Sequence, residues 1–174
     1  MSDPAPPAER RLKLLDVLGL MRDARERGLV RRARKTEPVD ARPAKPGEVV
    51  ETVIAGEGKE TRSRPAEPGD WVVRNRCPAT LNEEYLVARD KFHERYLSAG
   101  QPPNADGWQE HRPLGKVVCF FVLGPEQGEF SFEAPWGEQM RARPGDAIVQ
   151  DPEDLADTYR VTAAAFACTY EVLD

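Results

Sequence analysis

Apolar residues recur at steps of three and four over positions 9–27, with charged residues between them. The residues that make this pattern are Leu12, Leu14, Leu15, Val17, Leu18 and Met21. Side chains at this spacing share one face of a helix, so the pattern predicts an amphipathic N-terminal helix. Gly28 follows as a C-terminal stop signal. We expect the helix to pack against the rest of the chain or between two protomers, in preference to docking another protein.

After residue 33 the pattern changes to short runs rich in Val, Ile and Thr, bounded by Gly and Pro, which is typical of strands and turns. Strands are predicted over residues 34–42, 48–54, 71–75, 84–88 and 115–124. Pro38 confines the first of them to a sheet edge, because proline donates no hydrogen bond to a neighbouring strand. The last contains the most apolar run in the chain and is expected to be a central, buried strand.

A hairpin turn and two short helices are also predicted. The hairpin falls at 56–58, where Gly-Glu-Gly separates two strand-like segments. Asp90 is expected to cap the first helix, which places Phe92 and Tyr96 one above the other on its face. Thr162 is expected to cap the second helix, over residues 163–170.

One six-residue pattern occurs twice, as PGDWVV at 68–73 and PGDAIV at 144–149. Each copy is followed by a tyrosine, a phenylalanine seven residues later and a second tyrosine four residues after that. These residues are Tyr85, Phe92 and Tyr96 in one copy, and Tyr159, Phe166 and Tyr170 in the other. Agreement of several features in one order predicts a duplicated β-rich unit of four to five short strands and a short helix.

The expected fold class is α+β. A unit of about 65 residues is close to the lower limit for an independent core, so the two copies should share one core with pseudo-two-fold symmetry, preceded by the N-terminal helix. The predicted organisation is a disordered tail and helix over 1–31, a first repeat over 32–97, a linker over 98–114 and a second repeat over 115–174. The linker is rich in Gly, Pro and Asn, yet it carries Trp108 and His111.

Composition narrows the class of protein. The 174 residues are 40% hydrophobic and 32% charged, and no apolar run approaches the roughly 18 residues that a membrane span needs. The N-terminal residues lack the charged-then-apolar order of a secretory signal. The three cysteines are odd in number and scattered, which indicates reduced thiols. We therefore expect a cytoplasmic protein.

The net charge of -5 is unevenly spread, because residues 22–35 carry a cluster of arginines and a lysine. Such a cluster could bind the phosphates of a nucleic acid. A solvated helix face, or pairing with acidic residues of the same chain, is the interpretation that we favour.

The motifs resemble those of the PGDYG-type small bacterial and phage proteins. The matching residues in the first copy are Lys35, Thr36, Pro38, Val39, Ala41, Pro68, Gly69, Asp70, Trp71, Phe92 and Tyr96. Those in the second are Pro144, Gly145, Asp146, Phe166 and Tyr170, with Ala147 where the family has an aromatic residue. The resemblance covers about residues 33–97 and 115–172. The family has no assigned activity, so the resemblance supports the fold and implies no catalytic residues.

No motif for catalysis, metal binding or cofactor binding is present in the sequence. His93 and His111 are the only histidines, and neither has other ligands at metal-binding spacing, so neither a metal nor a cofactor is predicted. The segment GEGKET at 56–61 has its glycine and lysine too close together for a phosphate loop. Cys77 could be an activated thiolate near Arg74, but an ordinary loop cysteine is the simpler interpretation.

The binding candidates are Asp70, Trp71, Arg74, His93, Trp108 and His111. Asp70 and Asp146 could face one another as acid and base, but a carboxylate that serves its own turn explains both more simply. The contrast between Trp71 and Ala147 could leave room for a ligand on one side. Trp136 could line the cleft between the repeats, whereas the four tyrosines are expected in the core.

The leading hypothesis for function is a small cytosolic, non-catalytic binding or adaptor module. It would recognise a protein partner or a small molecule, through the N-terminal helix or the linker. The alternative is an enzyme with a cleft between the two repeats. Nucleic-acid binding through residues 22–35 is the weaker alternative, and a homodimer is compatible with each of them.

Overall fold

The computed structural model describes residues 12–54, 58–134 and 137–174 as an α+β fold made mostly of β-sheet. The tail, residues 9–11 of the predicted helix, the turn at 55–57 and Trp136 lie outside the described residues. The helices are α1 (Val17–Glu26), α2 (Arg89–Arg95) and α3 (Ala163–Thr169). The strands are β1 (Lys13–Leu14), β2 (Arg31–Lys35), β3 (Val39–Pro43), β4 (Glu51–Ile54), β5 (Gly58–Arg62), β6 (Trp71–Asn75), β7 (Glu84–Val87), β8 (Tyr96–Ser98), β9 (Gln109–Pro113), β10 (Val117–Val122), β11 (Phe130–Glu133), β12 (Gln139–Ala142), β13 (Ala147–Asp151), β14 (Asp154–Val161) and β15 (Tyr170–Val172).

Two five-stranded sheets carry most of the described chain. The first sheet has the strand order β7-β6-β3-β9-β8, and the second has the order β14-β13-β10-β2-β15. Two smaller sheets, β1-β11-β12 and β4-β5, accompany them. The prediction of a central strand at 115–124 is confirmed, because β10 is the third of five strands and its Phe120 and Phe121 are buried. The strand predicted over 71–75 is also confirmed as β6.

Two strands, β2 and β9, each lie in a sheet whose other strands do not include the strand that directly follows them in the chain. β2 precedes β3 in the chain, yet it lies between β10 and β15, with Ala33 opposite Val118 and Val172. β9 precedes β10, yet it lies between β3 and β8, with His111 opposite Val39 and Ser98. Each five-stranded sheet therefore depends on a strand from the other half of the chain.

This exchange corrects two predictions. The single strand expected over 34–42 is two strands in different sheets, because the chain crosses from one sheet to the other at Thr36–Pro38 and Pro38 provides no N–H for continued pairing. The second of them, β3, is the central strand of the first sheet, so the predicted edge position is wrong. Residues 98–114, predicted as a linker, contain β9 and so contribute a strand to the first sheet.

The N-terminal helix is shorter than predicted. Asp16 accepts a hydrogen bond from the backbone N–H of Leu18 at 3.1 Å and starts α1 at residue 17. The preceding Lys13–Leu14 form β1, which pairs in parallel with β11. The buried side of α1 consists of Val17, Met21 and Ala24, which pack on the second sheet. None of the helices in the described ranges is long and apolar enough to cross a membrane.

Both Pro-Gly-Asp turns are held by their aspartates, as predicted. Asp70 accepts hydrogen bonds from the backbone N–H groups of Glu67 at 2.9 Å and Arg89 at 3.3 Å. Asp146 accepts the corresponding bonds from Arg143 at 3.0 Å and Ala163 at 3.2 Å. Each carboxylate thus joins its turn to the first residue of the following helix.

The predicted cap of α2 is wrong and that of α3 is confirmed. Ala88 occupies the N-cap position of α2 without a side-chain bond, and Asp90 lies inside the first turn. The bond from Arg89 to Asp70 supplies the acceptor that a capping side chain would otherwise provide. At α3, the Thr162 side chain accepts a hydrogen bond from the N–H of Ala165 at 3.3 Å.

Replacing Asp70 with alanine should lower the free energy of unfolding by roughly 2–4 kcal/mol, because two backbone N–H groups lose their partner in a site that is 3% exposed. Urea unfolding followed by circular dichroism measures the change. Asp106→Ala, at an exposed aspartate in the 98–114 segment, is the matched control and should change it by less than about 0.5 kcal/mol. Equal effects of the two variants would contradict the role of Asp70.

The aromatic ring that packs on each short helix comes from a different strand in each sheet. Trp71 of β6 stacks on Phe92 of α2 with ring centroids 4.3 Å apart, and Ala41 of β3 is the small neighbour on that face. In the second sheet Phe120 of β10 lies 4.6 Å from Phe166 of α3, and the small neighbour is Ala147 of β13. Phe120 therefore fills the space that Ala147 leaves, and the contrast between Trp71 and Ala147 makes no room for a ligand.

A double-mutant cycle tests this exchange of large and small residues. Phe120→Ala should lower the free energy of unfolding by about 3–5 kcal/mol. Adding Ala147→Trp should recover about 1 kcal/mol or more, because the new ring enters the space that Phe120 leaves. Ala147→Trp alone should destabilise the protein by overpacking. Additive effects in urea unfolding would contradict the argument.

Candidate functional site

The six candidate residues from the sequence lie on two faces of the first sheet. Trp71, His93 and His111 surround Phe92, with the His111 ring centroid 5.3 Å from that of Trp71. The carboxylate of Asp70 already accepts hydrogen bonds from the backbone of its own turn and of α2. Trp71, Phe92, His93 and His111 thus form a packed aromatic cluster. His111 is buried in it, and its Nδ1 lies 3.0 Å from the carbonyl oxygen of Gln109.

Arg74 and Trp108 lie on the opposite face of the same sheet. The guanidinium carbon of Arg74 is 4.1 Å from the centroid of the Trp108 ring, and Trp108 packs against Val50 and Val72. The sheet itself separates these two residues from the aromatic cluster around Phe92. The six candidates therefore do not form one site.

Metal and thiol chemistry gain no support from the geometry. Within the ranges that the structure describes, no group of three His, Cys, Asp or Glu side chains is placed to hold a metal ion. Cys77 is buried, and its Sγ lies 4.0 Å from the carbonyl oxygen of Ala164 in α3. A hydrogen bond between the Cys77 and Cys168 side chains raises the pKa of Cys168 to about 11, so its reactive thiolate is scarce at neutral pH.

A cavity of about 400 Å³ lies between the two five-stranded sheets. It is lined by residues of β2, β7, α2, β14, α3 and β15, among others. The aromatic residues that line it are Tyr85, Tyr96, Tyr159 and Tyr170, which are all the tyrosines of the chain. This volume lies within the range of small-molecule sites in proteins. The cavity is the candidate functional site.

The four tyrosines form two pairs. The hydroxyl oxygens of Tyr85 and Tyr96 are 3.1 Å apart, and those of Tyr159 and Tyr170 are 3.4 Å apart. Tyr85 and Tyr96 belong to β7 and β8 at the two edges of the first sheet, and Tyr159 and Tyr170 belong to β14 and β15 at the two edges of the second. One pair from each sheet thus faces the cavity.

Lys35 carries a positive charge into the first pair. Its Nζ donates to the Tyr85 hydroxyl at 2.7 Å, the Tyr96 hydroxyl at 2.9 Å and Oδ1 of Asn75 at 2.8 Å. The ammonium nitrogen is 5.4 Å from the ring centroids of both tyrosines. The described residues provide no ion pair between Lys35 and a carboxylate. The nearest link to an acid runs through Asn75, whose Nδ2 donates to Glu83 at 2.7 Å.

The other cations that line the cavity, which are Arg64, Lys91, Arg95, Lys116 and Arg160, form ion pairs with acids, and two of these cations pair from α2 to β14. Arg95 of α2 forms an ion pair with Asp157 of β14, and its guanidinium carbon is 5.1 Å from the centroid of the Tyr159 ring. Lys91 of α2 donates to Asp154 at 2.9 Å. These pairs hold α2 against β14 and leave Lys35 as the cation of the cavity with neutral partners.

The four tyrosines differ in the direction of their pKa shifts because their surroundings differ. Burial raises the pKa of Tyr85, Tyr159 and Tyr170 above the ordinary value. Burial acts in the same direction on Tyr96, but the charge of Lys35, its hydrogen bond and the charge of Arg95 outweigh burial and hold the pKa of Tyr96 below the ordinary value of 10.0. Tyr96 is therefore the phenol of the cavity that ionises most readily.

Sequence reasoning placed the tyrosines in the core and did not single out Lys35. The equal spacing of Tyr85 and Tyr96, and of Tyr159 and Tyr170, is the sequence feature that indicates the tyrosines of the site. Lys35 appears in the sequence only as a residue of the family resemblance and not as a binding candidate, because it reaches Tyr85 and Tyr96 only through the crossing of β2 into the second sheet.

No family model, curated protein or solved structure matches the chain. The function is therefore inferred from the geometry of the cavity.

Alkaline titration of tyrosinate absorbance should show one tyrosine that ionises before the other three. Because all four tyrosines line the cavity, the titration reports on the site alone. Tyr96→Phe should remove this first step, and Lys35→Met should move it to higher pH because the stabilising charge is lost. Tyr159→Phe, the control, should leave it in place. A first step that persists in Tyr96→Phe would contradict the assignment.

Proposed function

We propose that the protein binds a small molecule in the cavity between the two five-stranded sheets. The observation that carries this proposal is the convergence of four tyrosines and Lys35 on one cavity of about 400 Å³. This deepens the hypothesis of a binding module by assigning it a site, and it makes a small molecule the partner.

The size and lining of the cavity support a binding role over a packing role. Protein interiors are close-packed, and voids larger than a water molecule are few. This partly open cavity, lined by apolar side chains, hydroxyl groups and Lys35, has the composition of a ligand site, which combines apolar walls with a few polar groups that orient the ligand. The tyrosine rings supply flat apolar walls, and their hydroxyls supply the polar groups.

The charges indicate a ligand with an electron-rich polar group. Arg95 and Lys91 are neutralised by Asp157 and Asp154, whereas Lys35 contacts neutral groups. A buried charge with neutral partners attracts a complementary charge from outside. The ligand that fits best has a flat apolar body and one anionic or strongly accepting group.

We also propose that the chain is a duplicated unit with pseudo-two-fold symmetry, whose first strands are exchanged. In this proposal β2 and β9 are corresponding strands, as are β3 and β10, β6 and β13, β7 and β14, and β8 and β15. The two sheet orders support it, since corresponding strands occupy the same places in both. Membership of the PGDYG-type family and a cytosolic location remain part of the proposal, and the free thiols at all three cysteines agree with a reducing compartment.

The other hypotheses have less support. Many cations of residues 22–35 already have partners in the same chain, so fewer are available to phosphates. The pairs are Arg25 with Gln150, Arg27 with Asp23, Arg32 with Asp174 and Arg34 with Glu171. Docking of a protein on the apolar side of α1 is disfavoured, because that side is buried on the second sheet.

Filling the cavity tests the proposal. The probe is anilinonaphthalene sulfonate, an anionic aromatic dye whose fluorescence rises in apolar surroundings. It should bind the native protein at one saturable site. Val118→Phe, at a residue that lines the cavity, should weaken binding at least about tenfold, because the added ring occupies the ligand's space.

Val122→Phe is the matched control, since Val122 lies on the same strand but is 55% exposed. It should bind the dye like the wild type. Thermal unfolding must show that both variants fold, because overpacking in a core costs about 1–3 kcal/mol. Unchanged dye binding in a folded Val118→Phe variant would locate the binding elsewhere and contradict the proposal.

A further inference from the structure

The hydrogen bonds around Lys35 leave Tyr96 as the group that can serve a ligand. An ammonium group has three N–H donors, and those of Lys35 go to Asn75, Tyr85 and Tyr96. The Tyr85 hydroxyl can give its own proton to Oδ1 of Asn75, 3.3 Å away. The Tyr96 proton then has two choices, the Tyr85 oxygen or the cavity. Tyr96 can therefore donate to a ligand without breaking any bond to Lys35.

Lys35 makes this hydroxyl an unusually strong donor. An O–H group whose oxygen accepts a hydrogen bond from a cation is polarised and donates more strongly. In the second tyrosine pair the nearby cation is arranged differently, because Arg95 lies over the ring of Tyr159 and forms an ion pair with Asp157. The difference between the two pairs places the strongest donor of the cavity at Tyr96.

The Tyr96 side chain is itself a phenol, so its pKa reports the electrostatic field next to Lys35. The titratable groups that interact with Tyr96 are Lys35 from β2, Tyr85 from β7, Arg95 from α2, Tyr159 from β14 and Tyr170 from β15, and Asp157 pairs with Arg95 beside them. Burial raises the pKa of the other three tyrosines, whereas Lys35 and Arg95 outweigh burial and lower the pKa of Tyr96. The field next to Lys35 thus favours a phenolate oxygen.

We infer that the cavity binds a phenol or an enol as its oxyanion, with the anionic oxygen accepting from the Tyr96 hydroxyl and Lys35 behind that hydroxyl. This inference rests on the proposed function and assigns its ligand class. A single oxyanion matches the one hydroxyl that Lys35 polarises and that can turn toward the cavity, whereas a carboxylate has two oxygens and about four acceptor sites to satisfy. A planar ring also fits between tyrosine faces. The proton of the ligand goes to solvent on binding.

The test uses para-nitrophenol, whose ionised form has its own visible absorption band. Titration of absorbance against pH, at protein concentrations that bind most of the probe, gives the pKa of the bound phenol. We expect this pKa to fall by about one unit below that of the free probe, which corresponds to about tenfold tighter binding of the anion than of the neutral form.

Tyr96→Phe and Lys35→Met should both abolish this preference for the anion while neutral para-nitrophenol still binds. Lys13→Met is the matched control for Lys35→Met, because Lys13 is exposed and lies outside the cavity lining, and it should retain the preference. Circular dichroism establishes that each variant is folded. The use of two variants at different residues keeps the test decisive if one of them fails to fold.

The outcomes separate this inference from the proposed function. Binding of neither the dye nor para-nitrophenol to the wild type would contradict both. Dye binding without para-nitrophenol binding would overturn the inference alone. So would a bound probe whose pKa equals or exceeds that of the free probe, or equal behaviour of Lys35→Met and Lys13→Met.

Discussion

Strand β2 pairs with β10 and β15 of the second sheet, although it directly precedes β3 of the first, and this pairing determines where Lys35 lies. Lys35 is the last residue of β2, at the point where the chain leaves the second sheet to enter the first. Its main chain belongs to one sheet and its ammonium group contacts the tyrosines of the other. Without the crossing of β2, Lys35 would not reach the hydroxyls of Tyr85 and Tyr96.

The placement of Lys35 has an energetic consequence. Removing an ammonium group from bulk water costs several kcal/mol unless other contacts replace its hydration. The three hydrogen bonds to Asn75, Tyr85 and Tyr96 offset that cost here. These contacts do not neutralise the charge, and Glu83 is reached only through Asn75. The protein thus maintains a partly buried positive potential, which is an arrangement that favours binding over stability.

The sequence predicted elements whose determinants are local, and it failed where pairing is long-range. The strand after the first Pro-Gly-Asp turn, the apolar strand β10 and the Thr162 cap all follow from neighbouring residues, and all were correct. The division of the predicted strand at 34–42, and the presence of β9 in a supposed linker, depend on partners far along the chain. The expected core position of the tyrosines is confirmed, but their convergence on one cavity depends on long-range pairing in the same way.

For the site, the difference in charge between Lys35 and Pro113 matters more than the difference in volume between Trp71 and Ala147. Trp71 and Ala147 differ greatly in size, but Ala41 and Phe120 differ in the opposite sense, so both sheets present one aromatic ring to their helix. In the proposed duplication Lys35 corresponds to Pro113, since these residues lie opposite Tyr170 and Tyr96 in the two sheets. Proline brings neither a charge nor a donor, so β9 supplies no counterpart of Lys35. In the proposed site, a lysine bonded to one tyrosine pair gives a bound ligand one orientation, with its charged end toward Tyr96.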